Sequence, residues 1–459
     1  MLAVAADLQG HGMTLHHGRA RPLQWLVLSA CAFAYTSVIA APAPQPYIAQ
    51  SSSCNGFPRV AVDMAPGYCM GLVASPPVEG FHRRAIRTPR MLLQLADDKV
   101  WLISDLGGWT DKRGKIWLMT VENSTRVRLR EVLGGLTLPH TLSYGPDGGV
   151  YVAEMNRIFR LDVKAGTATT VIDGLPGNHL HIGRHPLSHF TFDASGDMLV
   201  NVGADTDQCA DSKGAPLGTS CPEAGGTDAR AVIRRYAYLG GGHWNQTPSI
   251  LARGLRNSLV LLRHASGTLI QGENSYDFAP MGSRPYDEVN VIRQDAHYGW
   301  PYCYDTDQPT PAWSTANAMD CRSAVHEKPV SLLPPHSAPL GAVYYSGPMF
   351  PALNGKLVMS WHGYRPTGSR IVAFDVDAAG IPINVPHARY PEYQDGKTML
   401  TAYRSGPAAE PLVLTPGWDL KPGARPAGAP VGLTIAKDGA IWVADDRNAA
   451  ILRIAVDRP

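Results

Sequence analysis

Residues 145–154 read GPDGGVYVAE, and this pattern decides the fold because it returns. A tight turn of Asp, Asn, Ser or Gly runs straight into a short apolar strand. The same arrangement appears as ADDKVWLISD (96–105), ASGDMLVNVG (194–203), ASGTLIQGE (265–273), NGKLVMSWH (354–362) and KDGAIWVAD (437–445). The strands begin near residues 100, 150, 198, 269, 357 and 441. Their spacing is about 50 residues at first and longer afterwards, and about 40–50 residues is the length of a four-stranded propeller blade. One copy would mean little in a β-rich chain. Six copies predict an all-β fold, a six-bladed β-propeller of four-stranded antiparallel blades with loops inserted where the spacing lengthens.

Composition agrees. The 459 residues include 46 Gly and 38 Pro, only 17% are charged, and the net charge is +2. No long amphipathic helical pattern interrupts the short apolar runs, and no basic tract invites nucleic acid. The Pro/Gly/Ala-rich stretch 406–430 reads as a long surface loop between blades.

The N-terminus reads as an export signal over residues 1–41. Arg19 and Arg21 precede an apolar run, Leu23 to Ala41, that ends in small residues. Two other readings stay open. The run is long enough to remain as a membrane anchor, and Leu28-Ser29-Ala30-Cys31 resembles a lipoprotein cleavage box. Residues 42–60 read as a leader, and 61–459 as a single propeller domain. The expected location is periplasmic or secreted, with a membrane partner only if the N-terminal segment is retained or lipidated. Six cysteines remain after Cys31, in three near pairs. In an exported chain this predicts disulfides Cys54–Cys69, Cys209–Cys221 and Cys303–Cys321, a choice by proximity among the pairings open to six cysteines.

Several polar groups fall at ends of these strands. The stretch NHLHIGRHPLSHFTF (178–192) carries His179, His181, His185 and His189. A neutral imidazole is the usual group for taking a proton from a hydroxyl near neutral pH, and the spacing does not match a standard zinc pattern. Arg256-Asn257 offers a guanidinium fork for a two-point grip on a carboxylate or quinone oxygen. Glu273-Asn274-Ser275 ends a strand, and Asp287-Glu288-Val289-Asn290 follows; hard oxygens in such turns suit Ca²⁺. His297-Tyr298-Gly299-Trp300-Pro301 is a packed aromatic turn. Ser360-Trp361-His362-Gly363-Tyr364-Arg365, running on to Arg370, brings cations to another strand end.

Taken together, GLRNS, GENS, DEVN and YGWPYC resemble the soluble quinoprotein sugar dehydrogenases, six-bladed propellers that hold pyrroloquinoline quinone (PQQ) with Ca²⁺. The likeness takes in glucose, aldose sugar and L-sorbosone dehydrogenases and the fungal PQQ-dependent pyranose dehydrogenase domain. It is strongest over 179–301 and weaker over 360–374 and 430–446. The resemblance implies His185 as general base on the sugar hydroxyl and Arg256 and Asn257 on the cofactor. It implies Arg370 or Arg365 as a cation for the cofactor's carboxylates, and Asn274, Ser275 and Tyr276, with Glu273, around Ca²⁺, partly through backbone oxygens. The implied function is a PQQ- and Ca²⁺-dependent dehydrogenase oxidising an aldose or related sugar and passing electrons to a separate acceptor. A Ca²⁺-dependent propeller hydrolase of lactonase type and a non-catalytic binding propeller are the alternatives. The chain departs from the family pattern at Leu259 (usually Gln), at Ser275-Tyr276 (Gly-Pro in the bacterial enzymes), at Ala429 (usually Arg) and at Ala204, where the bacterial enzymes have an Asp paired with the histidine.

Overall fold

A computed structural model describes residues 47–74, 85–176, 185–277, 284–314, 319–363, 367–389, 406–418 and 427–458. The expected export segment, His179, His181 and Arg365 lie outside these.

Each repeat becomes the second strand of one of six sheets. Blade 1 holds Pro89–Gln94, Val100–Asp105, Gly114–Asn123 and Arg126–Leu136. Blade 2 holds Leu142–Tyr144, Val150–Glu154, Arg157–Asp162 and Thr167–Ile172. Blade 3 holds Phe190–Phe192, Met198–Val202, Val232–Tyr236 and Ser249–Arg253, with Ala296–His297 added in parallel outside. Blade 4 holds Ser258–Arg263, Leu269–Glu273, Asp287–Val291 and Ser331–Leu333. Blade 5 holds Pro339–Tyr344, Leu357–Trp361, Arg370–Phe374 and Leu412–Val413. Blade 6 joins Pro430–Ile435, Ile441–Asp445 and Ala450–Val456 from the end of the chain to Tyr68–Ala74 from its beginning. The fold is a six-bladed β-propeller.

The local chemistry explains the repeat. Asx-type turns launch the strand in several blades: the Asp147 carboxylate accepts the Gly149 N–H at 3.0 Å, and Asp438 that of Ala440 at 3.0 Å. VYVAE, LVMSW and IWVAD are buried at every position. A strand covered on both faces by neighbouring blades reads as an unbroken apolar run rather than an alternation. Trp101 of blade 1 stacks on Trp442 of blade 6, ring centroids 4.1 Å apart, where the ring of blades closes.

Two expected boundaries move. The leader 42–60 is not separate from the propeller. Ala49–Cys54 and Phe57–Val60 pair outside Tyr68–Ala74 and widen blade 6 to six strands, with Cys54–Cys69 tying them. Nor is 406–430 wholly a surface loop. Leu412–Val413 is the fourth strand of blade 5, and Leu414 and Trp418 are buried behind it. The other two disulfides form as expected, Cys209–Cys221 and Cys303–Cys321.

The inner strands meet closely at the centre. A Cβ on Gly432 would lie 2.3 Å from the Arg90 carbonyl of blade 1, and one on Gly341 2.2 Å from the Val431 carbonyl, so neither position admits a side chain. Leu106, Leu138, Leu187, Leu259, Leu340 and Val431, one from each blade, pack into one buried apolar cluster. This floor accounts for Leu259: a Gln there would bring a polar amide into an apolar ring and need a partner for it.

Blade 6 is also latched by Tyr47. Its buried hydroxyl donates to the Asp445 carboxylate and accepts from the Trp418 indole N–H at 3.0 Å. Tyr47→Phe removes a donor from a buried carboxylate, at a cost of about 1–3 kcal/mol. Urea unfolding should show a lower midpoint with an unchanged slope; an unchanged midpoint would contradict the latch.

Candidate active site

In each blade the inner strand begins where the second strand ends, as the pairs Pro89↔Asp105, Ser258↔Glu273, Pro339↔Trp361 and Pro430↔Asp445 show. The last residue of every repeat therefore lies at one end of the channel, the mouth. At four of these six places it is an acid, and in blades 1, 2 and 4 the acid has the same job. Asp105 accepts the N–H groups of Arg87 and Thr88 at 3.0 and 2.8 Å. Glu154 accepts that of Thr137 at 2.5 Å, and Glu273 that of Asn257 at 3.0 Å. Each carboxylate pins the segment that leads into its own inner strand.

Two blades break the rule, and both breaks carry polar groups. Blade 3 ends its repeat in Gly203. A Cβ there would lie 2.6 Å from the His185 Cβ and 2.7 Å from the His185 carbonyl, so His185 takes the space of the missing side chain. Blade 5 ends its repeat in His362, whose Nε2 lies 2.9 Å from Asp446 Oδ1.

His185 is buried and its Nδ1 lies 2.7 Å from the Ala204 carbonyl. A carbonyl only accepts, so Nδ1 carries the proton and Nε2 is the basic nitrogen. The Ala204 N–H in turn donates to the Arg256 carbonyl at 2.9 Å. A backbone oxygen thus orients the imidazole.

Arg256, 3% exposed, is held from two other segments. Its Nη1 donates to the Asn274 and Ser275 carbonyls at 2.9 and 2.6 Å, and its Nη2 to Asp207 at 2.7 Å and Asp277 at 3.1 Å. Burial would lower its pKa, but Asp207, Asp277 and Glu273 outweigh that and hold the charge firmly on. Both terminal nitrogens are occupied, so the expected two-point fork is not what Arg256 presents. Its buried Nε–H has no hydrogen-bond partner. Asn257 packs beside it, its carbonyl accepting the Asn274 N–H at 3.2 Å.

In the turn expected to hold Ca²⁺, each residue has its own partner. The Ser275 N–H donates to Asp287 at 2.9 Å, and the Tyr276 hydroxyl to the Cys303 carbonyl at 2.8 Å, so Tyr276 turns its side chain into the aromatic packing around Trp300. Glu273 spends both oxygens within its blade, on the Asn257 N–H and on the Gln271 amide at 2.5 Å. Burial drives its pKa up to about 7, and Glu288 goes well above the usual range through burial and the nearness of Glu273. The carbonyls of Asn274 and Ser275 keep a second lone pair each, beside the half-exposed carboxylate of Asp277. These hard oxygens fit Ca²⁺.

Arg370 is buried at the mouth end of blade 5 and donates to the Gly368 carbonyl at 2.8 Å. Sequence reading did not find its neighbours in function: Arg90 of blade 1 pairs with Asp446 and, at 3.3 Å, with His140. Burial would raise the Asp446 pKa, but His362, Arg90 and Arg447 together lower it. The signal was in the repeats, since Asp446 follows a repeat's last residue and Arg90 opens an inner strand. His189 does not join His185. Its Nδ1 lies 2.9 Å from the Thr141 hydroxyl, and burial lowers its pKa to about 4. Among the described residues, one group of three Cys, His, Asp or Glu side chains converges as metal ligands would: Cys209, Cys221 and Glu223, and there the sulfurs are joined to each other.

Residues 177–363 match the family model described as Glucose / Sorbosone dehydrogenase. The likeness read from the motifs is therefore to this family. A PQQ-dependent pyranose dehydrogenase of Coprinopsis cinerea is 26% identical over 342 residues, covering 55% of this chain and 44% of that protein. An uncharacterised protein of Borreliella burgdorferi is 30% identical over 139 residues, covering 28% of this chain and 35% of that one. The chain thus spans less than half the length of these curated relatives. Among solved structures, the holo form of the C. cinerea pyranose dehydrogenase PQQ domain superposes with a TM-score of 0.61 at 20% identity, covering 88% of this chain and 99% of that one. A calcium structure of a Trichoderma reesei family AA12 carbohydrate-active enzyme superposes with a TM-score of 0.62 at 18% identity, covering 86% and 97%. These likenesses show the fold.

Asp305 gives a pH test of the mouth. It accepts the Tyr286 N–H at 2.9 Å, and burial raises its pKa to about 7. The unfolded value is near 3.9, so the folded state binds more protons between about pH 4 and pH 7, and stability falls as pH rises through that window. Asp305→Asn keeps the acceptor and drops the titration. The variant should gain on the wild type by about 2–4 kcal/mol across the window, read by unfolding at each pH. Parallel pH curves would contradict the assignment.

Proposed function

We propose that this protein is an exported, PQQ- and Ca²⁺-dependent dehydrogenase that oxidises the hydroxyl of an aldose or related sugar and passes electrons to a separate acceptor. One observation carries the reading. The imidazole, the guanidinium and the oxygen-rich turn that such chemistry calls on are joined directly, His185 to Ala204 to Arg256 to Asn274–Ser275, at the mouth of one channel.

When bound, PQQ supplies a two-electron acceptor and Ca²⁺ a Lewis acid. His185 Nε2 takes the proton of the sugar hydroxyl, its tautomer set by the Ala204 carbonyl. Arg256 and Asn257 beside it would hold the cofactor, the guanidinium keeping its positive charge through Asp207 and Asp277. The carbonyls of Asn274 and Ser275, with Asp277, would hold the metal. Arg370 and Arg90 would offer cations for the cofactor's carboxylates. The floor of Leu106, Leu138, Leu187, Leu259, Leu340 and Val431 excludes water from below. Among the described residues no helix is long and apolar enough to cross a membrane.

Metal-stripped protein incubated with PQQ and Ca²⁺ should show quinone absorbance and reduce a dye when an aldose is added. His185→Ala should keep the absorbance and lose about 10²–10⁴-fold in turnover. No uptake of micromolar PQQ would rule the reading out, and a fully active His185→Ala would remove the base.

A further inference from the structure

Arg256 has five N–H donors. Four are engaged, two on the Asn274 and Ser275 carbonyls and two on Asp207 and Asp277, leaving the buried Nε–H. The partner that settles this arrangement does not belong to blade 4. Asp207 sits on the loop 203–231 that leaves the second strand of blade 3, the strand that follows His185. Its Oδ1 accepts both the Arg256 Nη2–H at 2.7 Å and the Asp277 N–H at 2.9 Å. One carboxylate oxygen thus fastens the guanidinium and the far end of the 274–277 turn together.

The loop that carries it is fastened in turn. The Trp300 indole N–H donates to the Asp207 carbonyl at 2.9 Å, and the Trp313 indole N–H to the Gln208 carbonyl at 2.7 Å. Cys209, the next residue, is bonded to Cys221. Asp205 and Thr206 both donate to Glu223, on the far side of that bridge. Two indoles on consecutive carbonyls and a disulfide one residue later leave the Asp207 backbone little freedom. A loop that only covered the blade would not need its carboxylate buried against an arginine of the next blade, where taking two charges from water is costly unless the geometry is fixed.

We infer that Asp207 is a positioning residue. It sets the plane of the Arg256 guanidinium and the spacing of the 274–277 turn as one unit, the groups that would hold the cofactor and the metal. This rests on the PQQ and Ca²⁺ reading above. The loop 203–231, which no family motif in the sequence marks, then governs how tightly the cofactor is held.

The test uses wild type, Asp207→Ala and Asp207→Asn. Each is checked for folding, then titrated with PQQ at saturating Ca²⁺ while the position of the bound quinone's absorbance band is followed. Asp207→Ala should weaken PQQ binding about tenfold or more and shift the band, as loss of an orienting group does. Asp207→Asn, whose Oδ1 still accepts both N–H groups, should restore affinity to within about threefold. A purely structural role would lower thermal stability in the alanine variant and leave the band and affinity unchanged; that result overturns the inference. Should the alanine variant not fold, Asp207→Ser, too short to reach Arg256, replaces it under the same criteria. If wild type takes up no PQQ, the proposed function falls and this inference with it. If wild type binds and the alanine variant binds equally, only the inference falls.

Discussion

A guanidinium buried at the mouth of the channel constrains everything around it. An unpaired charge out of water costs several kcal/mol, so Arg256 is tolerable only with its partners in place. Those partners come from the blade 3 loop (Asp207) and from the turn 274–277 just beyond the blade 4 repeat (the Asn274 and Ser275 carbonyls and the Asp277 carboxylate), and they meet the segment of Arg256 itself. Three chain segments must converge before the charge is satisfied. The same convergence brings the Arg256 carbonyl to Ala204 and Ala204 to His185. The geometry of the candidate site is in this sense a consequence of burying one arginine.

The mouth is also divided by charge. Glu273, Asp287, Glu288, Asp207 and Asp277 crowd around Arg256 on the side of blades 3 and 4, with the carboxyls of Glu273, Asp287 and Glu288 raised by burial. Arg370, Arg447 and Arg90 stand at the mouth ends of blades 5, 6 and 1, with Asp446 among them. A polycarboxylate with a bound divalent cation is the kind of ligand whose charges such a division matches. Beneath lies the apolar floor, where polar groups would lack partners. Polar mouth and apolar floor come from neighbouring residues: Arg256 and Asn257 lie among polar partners, and Leu259 lies in the apolar cluster.

The repeat made the fold legible because blade strands buried on both faces have an unmistakable rhythm: an Asx turn, then an unbroken apolar run. Arg256, Asn257 and the 274–276 turn were legible because they sit in compact motifs. His185 was named through the family resemblance alone; that Gly203 leaves room for it, where a side chain would collide, shows only in the fold. What stayed hidden depends on long-range closure. Residues 49–60 look like a leader because strand pairing to the other end of the chain leaves no local mark. Asp207 looks like one more surface acid in a loop of Gly, Ser and Asp, since its role needs an arginine of the next blade. The fork of Arg256 was misread because its Nη atoms are spent on carbonyls and carboxylates that no spacing rule predicts.

The claim at the centre of this account is that the mouth holds an anionic quinone and a divalent cation as one charge-compensated unit. The direct measurement is PQQ affinity in metal-stripped protein as Ca²⁺ is raised. The account predicts that affinity climbs with Ca²⁺ until the metal site is saturated, and that Ca²⁺ affinity climbs by the same factor when PQQ is bound, as linkage between two sites requires. PQQ binding of equal strength with and without Ca²⁺ would contradict it.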